Sequence, residues 1–304
     1  MTRNLKFFIF PLFFTIIIFL GINILFGKTE KAPSFTAQIV ETSPLRKINI
    51  QPNLSAQSAI VMEVDKKGND IVHFEKGIKQ KLPIASLTKL MTALVVFENP
   101  LIYPKSMPIT LSKKAVSQID ASRYITLEEG KTFSLETLLN ILLIESGNGA
   151  AQIIAETLGE KEFINTMNFK AKELNMLDTF FVNPSGLDNR DNYNYSTVYD
   201  LAVLAQYIKK NYPEIFHISS KEIYHVFDIN NEFYYFIPEN TNKLLFEIPE
   251  IIGGKTGWTP TAGQCLLVLF SHPHKDTYFI SVVLNSQNRF EDIKNIIQQI
   301  YNDN

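Results

Sequence analysis

The 304-residue chain has one cysteine, Cys265, one tryptophan, Trp258, and five histidines. A lone cysteine excludes an internal disulfide. Its place in the apolar run Cys265-Leu266-Leu267-Val268-Leu269-Phe270 predicts packing, not nucleophilic chemistry. The histidines (His73, His217, His225, His272, His274) form no H-E-x-x-H pattern, which disfavours a zinc peptidase. His272 and His274 flank Pro273 in an expected hairpin and are read as solvent-exposed, not as a ligand pair. A net charge of -2 gives no basic excess for a nucleic-acid partner. There is no long basic block, Gly-rich phosphate loop or internal repeat, and no residue pattern asks for a metal or cofactor.

What is present begins with a run that is different in kind. Phe7 to Phe26 is 20 residues without a charge, long enough to cross a bilayer as a helix. Arg3 and Lys6 precede it, which puts the N-terminus in the cytoplasm and the rest of the chain outside. No small-x-small cleavage site follows Phe26, and no cysteine lies nearby for a lipid. Residues 1–27 are therefore read as a retained signal anchor: a single-pass segment at the cell membrane with an extracytoplasmic body. Residues 28–55, with Pro33, Pro44 and Pro52, read as a tether. The remainder, 45% hydrophobic and 20% charged over the whole chain, is enough for one large domain over 56–304.

Three short motifs in fixed order carry the chemistry. Ser86-Leu87-Thr88-Lys89 opens a run of helix formers just after Pro83, so Ser86 and Lys89 share the face of a first helical turn. A serine hydroxyl needs a base to become a nucleophile. Lys89 can be that base if burial and a second cation, Lys255, push its pKa down. The helix N-terminus offers N–H groups to an oxyanion. Ser146-Gly147-Asn148 follows the apolar run Leu135 to Ile144, where Gly147 and Gly149 are expected to break the helix before a second one begins near Ala150. Ser146 would relay a proton to a leaving amine; Asn148 would bond a substrate amide or Lys89.

Lys255-Thr256-Gly257 is the third motif, expected on an edge strand where a substrate backbone can pair. Lys255 would bind substrate charge and tune Lys89, and Thr256 would hold a carboxylate. The Trp258 N–H would complete an oxyanion hole with that of Ser86. Together the motifs supply what acyl transfer through a serine ester requires.

Strand patterns at Ser58 to Asp65 and Ile71 to Phe74 precede the Ser86 helix. A helix-rich stretch follows from Ser134 to about Tyr212. Strand patterns return at Glu222 to Phe227, Phe233 to Ile237 and twice near the C-terminus, before a helix from Phe290 to Tyr301. Strands from both ends of the sequence meeting around a helical insert is an α+β layout, an antiparallel sheet flanked by helices with a helix-rich inserted subdomain.

S-x-x-K, S-x-N and K-T-G in this order are the signature of penicillin-binding proteins and serine β-lactamases. From about Ala56 to Ile300 the chain resembles the D-alanyl-D-alanine carboxypeptidases, the low-molecular-mass penicillin-binding proteins. The resemblance extends to Gly130-Lys131-Thr132-Phe133-Ser134-Leu135, Asn183-Pro184-Ser185-Gly186-Leu187-Asp188 and Asn240-Thr241-Asn242-Lys243-Leu244-Leu245. It implies a serine peptidase trimming peptidoglycan stem peptides through an acyl-enzyme on Ser86, with Lys89, Ser146, Asn148 and Lys255 as its other catalytic residues. Thr256, Gly257, Trp258 and Arg289 would contact substrate, Arg289 beside its carboxylate, and β-lactams would be covalent inhibitors. The alternatives are a D,D-endopeptidase of peptidoglycan cross-links, a β-lactamase and an idle penicillin-binding scaffold. Class A β-lactamases use an added glutamate between the second and third motifs, and Asn183 to Tyr195 contains none. Two departures stand out. Gly149 replaces the family's aspartate, which should alter local rigidity, and Trp258 is bulkier than the residue usual there. Many members add a β-rich C-terminal domain and a tail anchor; neither is expected in this sequence.

Overall fold

The computed structural model describes residues 45–118, 127–189 and 192–302. Strands β1 (Ser58–Asp65) and β2 (Asp70–Lys76) open the body. Two-residue β3 (Leu82–Pro83) leads through a 3-10 turn, Ala85–Thr88, into helix α1 (Lys89–Glu98). The middle holds β4 (Pro108–Thr110), α2 (Lys113–Ser117), β5 (Thr132–Ser134) and α3 (Leu135–Asn140). A π-helical turn, Ile141–Glu145, precedes α4 (Asn148–Leu158) and α5 (Glu160–Glu173). Then come β6 (Tyr195–Ser196), α6 (Val198–Asn211), α7 (Glu214–Ser219), β7 (Tyr224–Phe227) and β8 (Phe233–Ile237). The chain closes with β9 (Ile251–Thr259), β10 (Gly263–His272), β11 (Lys275–Ser286) and α8 (Arg289–Tyr301).

The main sheet has the order β2-β1-β11-β10-β9, all antiparallel, so strands from the two ends of the domain share it and β9 is an edge. This is the expected α+β layout. Strand side chains alternate between faces, and here both faces are covered. Ile60, Met62 and Val64 of β1 join the cluster under the helical insert; Ala59 and Val61 join the cluster under α8. Helix α8 contributes Ile293, Ile296, Ile297 and Ile300, an i, i+3, i+4, i+7 stripe. Two buried faces explain why β10 reads as an unbroken apolar run.

Four expectations need correction. Of the stretch read as a tether, Ile48, Ile50 and Leu54 are buried in the cluster under α8. Apolar side chains at alternate positions give that segment something to pack with, and the compact unit runs Pro44–Asn304. The 1–27 anchor reading lies outside the described residues. His272 is buried, not exposed: it ends β10 against the Tyr301 ring, 5.4 Å between centroids. Its Nδ1 accepts from the His274 N–H at 3.1 Å, and burial lowers its pKa. Gly149 does not break a helix; it lies in the first turn of α4. The apolar run Leu135 to Ile144 is not one α-helix either, since its last turn is π-helical.

Candidate active site

The nucleophile turn is built by its neighbours. Ala85 has φ +46°, and the 3-10 turn hands over directly to α1, where Lys89 is the first residue. Lys89 is wholly buried, and its Nζ lies 2.9 Å from Ser86 Oγ. The same nitrogen lies 2.6 Å from Asn148 Oδ1 and 2.7 Å from the Ser185 carbonyl. An amide oxygen and a backbone carbonyl can only accept. Once Lys89 gives up a proton, two N–H bonds can still serve Asn148 and Ser185 while the freed lone pair faces the Ser86 hydroxyl. That is the arrangement of a general base beside a nucleophile.

Ser146 ends the π-helical turn in the left-handed region, φ +71°. The Gly147 N–H donates to the Ile141 carbonyl at 3.1 Å. A π-turn followed by a left-handed residue swings the Ser146–Asn148 segment out of the helix line. It lands Asn148 on Lys89 and Ser146 on the rim of the cleft. π-helical turns recur at functional sites for this reason.

Edge strand β9 forms the opposite wall. It passes so close to the nucleophile turn that a Cβ on Gly257 would sit 3.1 Å from the Ser86 backbone nitrogen. Thr256, Gly257, Trp258 and Arg289 line one cleft of about 510 Å³ together with Ser86, Ser146 and Asn148. The Trp258 ring is 57% exposed at its mouth. Arg289, at the start of α8, donates from Nη1 to the Gly257 carbonyl at 2.8 Å. Lys255 is wholly buried and donates to the Thr256 carbonyl at 3.1 Å. Burial pushes the Lys255 ammonium well below its ordinary pKa, and the charges of Lys89 and Arg289 push it further the same way. Cys265 is packing material: burial raises its thiol to about 11.

Residues 46–288 match a family model described as D-alanyl-D-alanine carboxypeptidase. The chain belongs to this family. The D-alanyl-D-alanine carboxypeptidase DacF of Bacillus subtilis is 33% identical over 69% of this chain and 53% of its own length. A D-alanyl-D-alanine endopeptidase of Escherichia coli is 32% identical over 78% of this chain and 74% of its own. The chain thus spans about half of the Bacillus relative and about three quarters of the Escherichia coli one. In structure it is similar to penicillin-binding protein D2 of Listeria monocytogenes in its ampicillin-bound form. There the TM-score is 0.68 at 29% identity, covering 82% of this chain and 99% of that one.

Membership in the family does not by itself place every residue that builds the site. Ser185 supplies a carbonyl to Lys89, and only the resemblance of Asn183–Asp188 marks that segment in the sequence. Its ends are fixed on both sides. Thr92 donates to the Pro184 carbonyl at 2.6 Å, and Asp188 accepts from the Thr259 hydroxyl at 3.0 Å. Asn194 secures the underside, accepting from the Val182 N–H and donating to Thr88 Oγ1 at 2.8 Å. Thr241 stands between β9 and the Ser146 turn. A lone Thr or Asn in a polar stretch carries no spacing signal; Thr241 is marked only by the resemblance of Asn240–Leu245, and Asn194 by nothing in the sequence.

Proposed function

We propose that the chain is a serine D-alanyl-D-alanine peptidase that trims peptidoglycan stem peptides as a carboxypeptidase. The observation that carries it is the Lys89 amine held between Asn148 Oδ1 and the Ser185 carbonyl with Ser86 Oγ at 2.9 Å. Lys89 takes the Ser86 proton as Oγ attacks the carbonyl between two terminal D-alanines. The Ser86 N–H faces β9 and, with that of Trp258, receives the oxyanion. Thr256 and Arg289 take the terminal carboxylate. Ser146 passes a proton to the departing D-alanine amine, the C–N bond breaks, and an ester remains on Ser86. Water then hydrolyses the ester and restores the hydroxyl. A β-lactam follows the same path, but its leaving group stays attached and the ester persists.

A D,D-endopeptidase acting on cross-links with the same residues is the second reading. It is supported by the likeness to the Escherichia coli endopeptidase, 32% identical over 78% of this chain. The deciding assay is D-alanine release from a pentapeptide ending in D-Ala-D-Ala, beside cleavage of a cross-linked dimer, with Ser86→Ala as control. Release abolished in the control establishes the carboxypeptidase. Cleavage of the dimer alone establishes the endopeptidase. Penicillin labelling with neither reaction establishes an idle binder, and rapid penicillin turnover a β-lactamase.

The body works outside the cytoplasmic membrane, held there by residues 7–26. The uncharged run behind Arg3 and Lys6 supports this reading. Among the described residues no helix is long and apolar enough to cross a membrane. Sedimentation of the full chain with membranes after alkaline extraction, against release of the Pro44–Asn304 body, tests it.

A further inference from the structure

Strands β7 and β8 form a two-stranded hairpin that is apolar on both faces. Its inner face is accounted for: Val226, Tyr235 and Ile237 are buried, and the Tyr234 ring packs edge-on against Phe133, centroids 5.1 Å apart. The outer face should be polar, because an antiparallel hairpin covered on one side alternates with solvent-facing residues on the other. It is instead an aromatic ladder. His225 stands directly opposite Phe236, and Phe227 opposite Phe233. The first pair stacks at 4.7 Å and the second meets edge-on at 5.9 Å. Phe233 is 60% exposed, and Phe227, Phe236 and, at the two ends, Ile223 and Ile229 are exposed as well. Ring pairs that hold each other while leaving a face in water make a firm apolar surface, of the kind that marks an interaction site.

The geometry points to a lipid surface as its partner, with these side chains entering the bilayer interface. The occupant follows from the chain itself. Phe7 to Phe26 is an uncharged run of bilayer-spanning length, and this inference rests on the proposed membrane attachment for that choice alone. Ile48, the first buried residue of the body, lies 22 residues beyond Phe26. That many residues reach at most about 75 Å, which bounds how far the body can stand from the membrane. An apolar hairpin supplies the orientation. None of the ladder side chains is a carboxylate; exposed Glu222 and Glu232 flank it beside Ile223 and Phe233. Asp228, at the tip, is spent on the turn, accepting from the Asn230 and Glu232 N–H groups. Lys221 and Lys131 lie behind the rings, 5.4 Å from Tyr224 and 5.6 Å from Tyr234. Aromatic and aliphatic side chains with cations set back from them suit the headgroup boundary. The residues that follow β8, Glu239 to Thr241, line the catalytic cleft. Seating the hairpin would therefore hold one end of the cleft close to the membrane.

Pro44–Asn304 is a compact unit containing both hydrophobic clusters, so it folds as a body of its own. The test is cosedimentation of this body with vesicles of phosphatidylethanolamine and phosphatidylglycerol in equal parts. It is run beside a variant carrying Phe227→Ser, Phe233→Ser and Phe236→Ser. We expect the unaltered body to bind and the variant to lose at least tenfold in partitioning. D-Alanine release should be equal in both, which also shows that the variant is folded. No binding by the unaltered body, or equal binding by both, overturns the inference. Self-association in velocity sedimentation that the variant abolishes overturns it too, because it gives the ladder to a second copy. Failure of the peptidase reading appears separately, as absent release from both proteins.

Discussion

The Thr256 hydroxyl donates to the Thr241 hydroxyl at 2.7 Å, and Thr241 in turn donates to the Ile144 carbonyl from both its hydroxyl, at 3.3 Å, and its N–H, at 3.1 Å. The two walls of the cleft, β9 and the segment leading to Ser146, are therefore tied through one threonine. Thr241→Val keeps the shape and removes the hydroxyl. Losing a neutral hydrogen bond is worth about 1 kcal/mol, so kcat/KM for the pentapeptide should fall up to about tenfold, with most of the loss in KM. Thr241→Ser should restore it. Steady-state kinetics on the three proteins checks this, and a Val variant with unaltered KM would show that the tie does not position Thr256.

The sequence patterns locate most of the sheet and all three motifs, for reasons visible in particular residues. β1 is legible at Ser58–Asp65 because apolar residues and turn signals bound it closely. Ser86 and Lys89 are legible because a spacing of three on one helical face is a geometric fact. What stays hidden depends on tertiary placement. Ile48, Ile50 and Leu54 sit in a Pro-containing polar stretch, and only α8 and the sheet make them core. Ser185 acts through its backbone carbonyl, which no side-chain pattern reports. The burial of Lys255 is also invisible, because an edge strand suggests exposure.

Gly186 lies in the left-handed region, φ +85°, and a Cβ there would stand 1.9 Å from the Ala85 carbonyl oxygen. Gly186→Ala must displace the turn that carries Ser86. Stability should fall by about 2 kcal/mol or more, and the rate of β-lactam acylation should fall further than the lost stability explains. Gly130 has nearly the same φ, +83°, with nothing within 4 Å. Gly130→Ala should cost about 1 kcal/mol and leave acylation unchanged. Thermal melts and acylation rates on both variants separate strain from displacement, and equal acylation defects would refute the assignment.

Glu63 and His73 form a buried pair that also holds the start of the body. His73 Nδ1 accepts from the Ile48 N–H at 3.0 Å, its Nε2 bonds Glu63 Oε2 at 2.8 Å, and Thr277 donates to Glu63 Oε1 at 2.6 Å. Burial alone would raise the Glu63 carboxyl, but the bonds from His73 and Thr277 outweigh it and hold the pKa below its ordinary 4.5. A depressed acid contributes stability above its unfolded pKa and loses it as pH falls through the folded one. Melting temperature should therefore drop on acidification below pH 4.5. In Glu63→Gln that part of the drop should be missing, with a lower melting temperature at neutral pH. An unchanged acid limb would remove Glu63 from the account.

Lys255 sets function against stability. Its ammonium is pushed well below 10.5 by burial, then by Lys89 and Arg289. The unfolded chain holds that proton more tightly than the folded one, so stability rises with pH between the folded pKa and 10.5. Lys255→Met keeps an unbranched apolar stem of similar reach and has no charge to bury. Its melting temperature at neutral pH should exceed that of the unaltered protein, and the upward slope with pH should flatten. Acylation of Ser86 should fall about a hundredfold, the low end of what a lost general base costs, because the cation beside the Lys89 base is gone. A variant that is stabilised yet acylates normally would make Lys255 structural. One that is destabilised, with the pH slope intact, would mean that the lysine is buried without penalty and that burial is not what lowers its pKa.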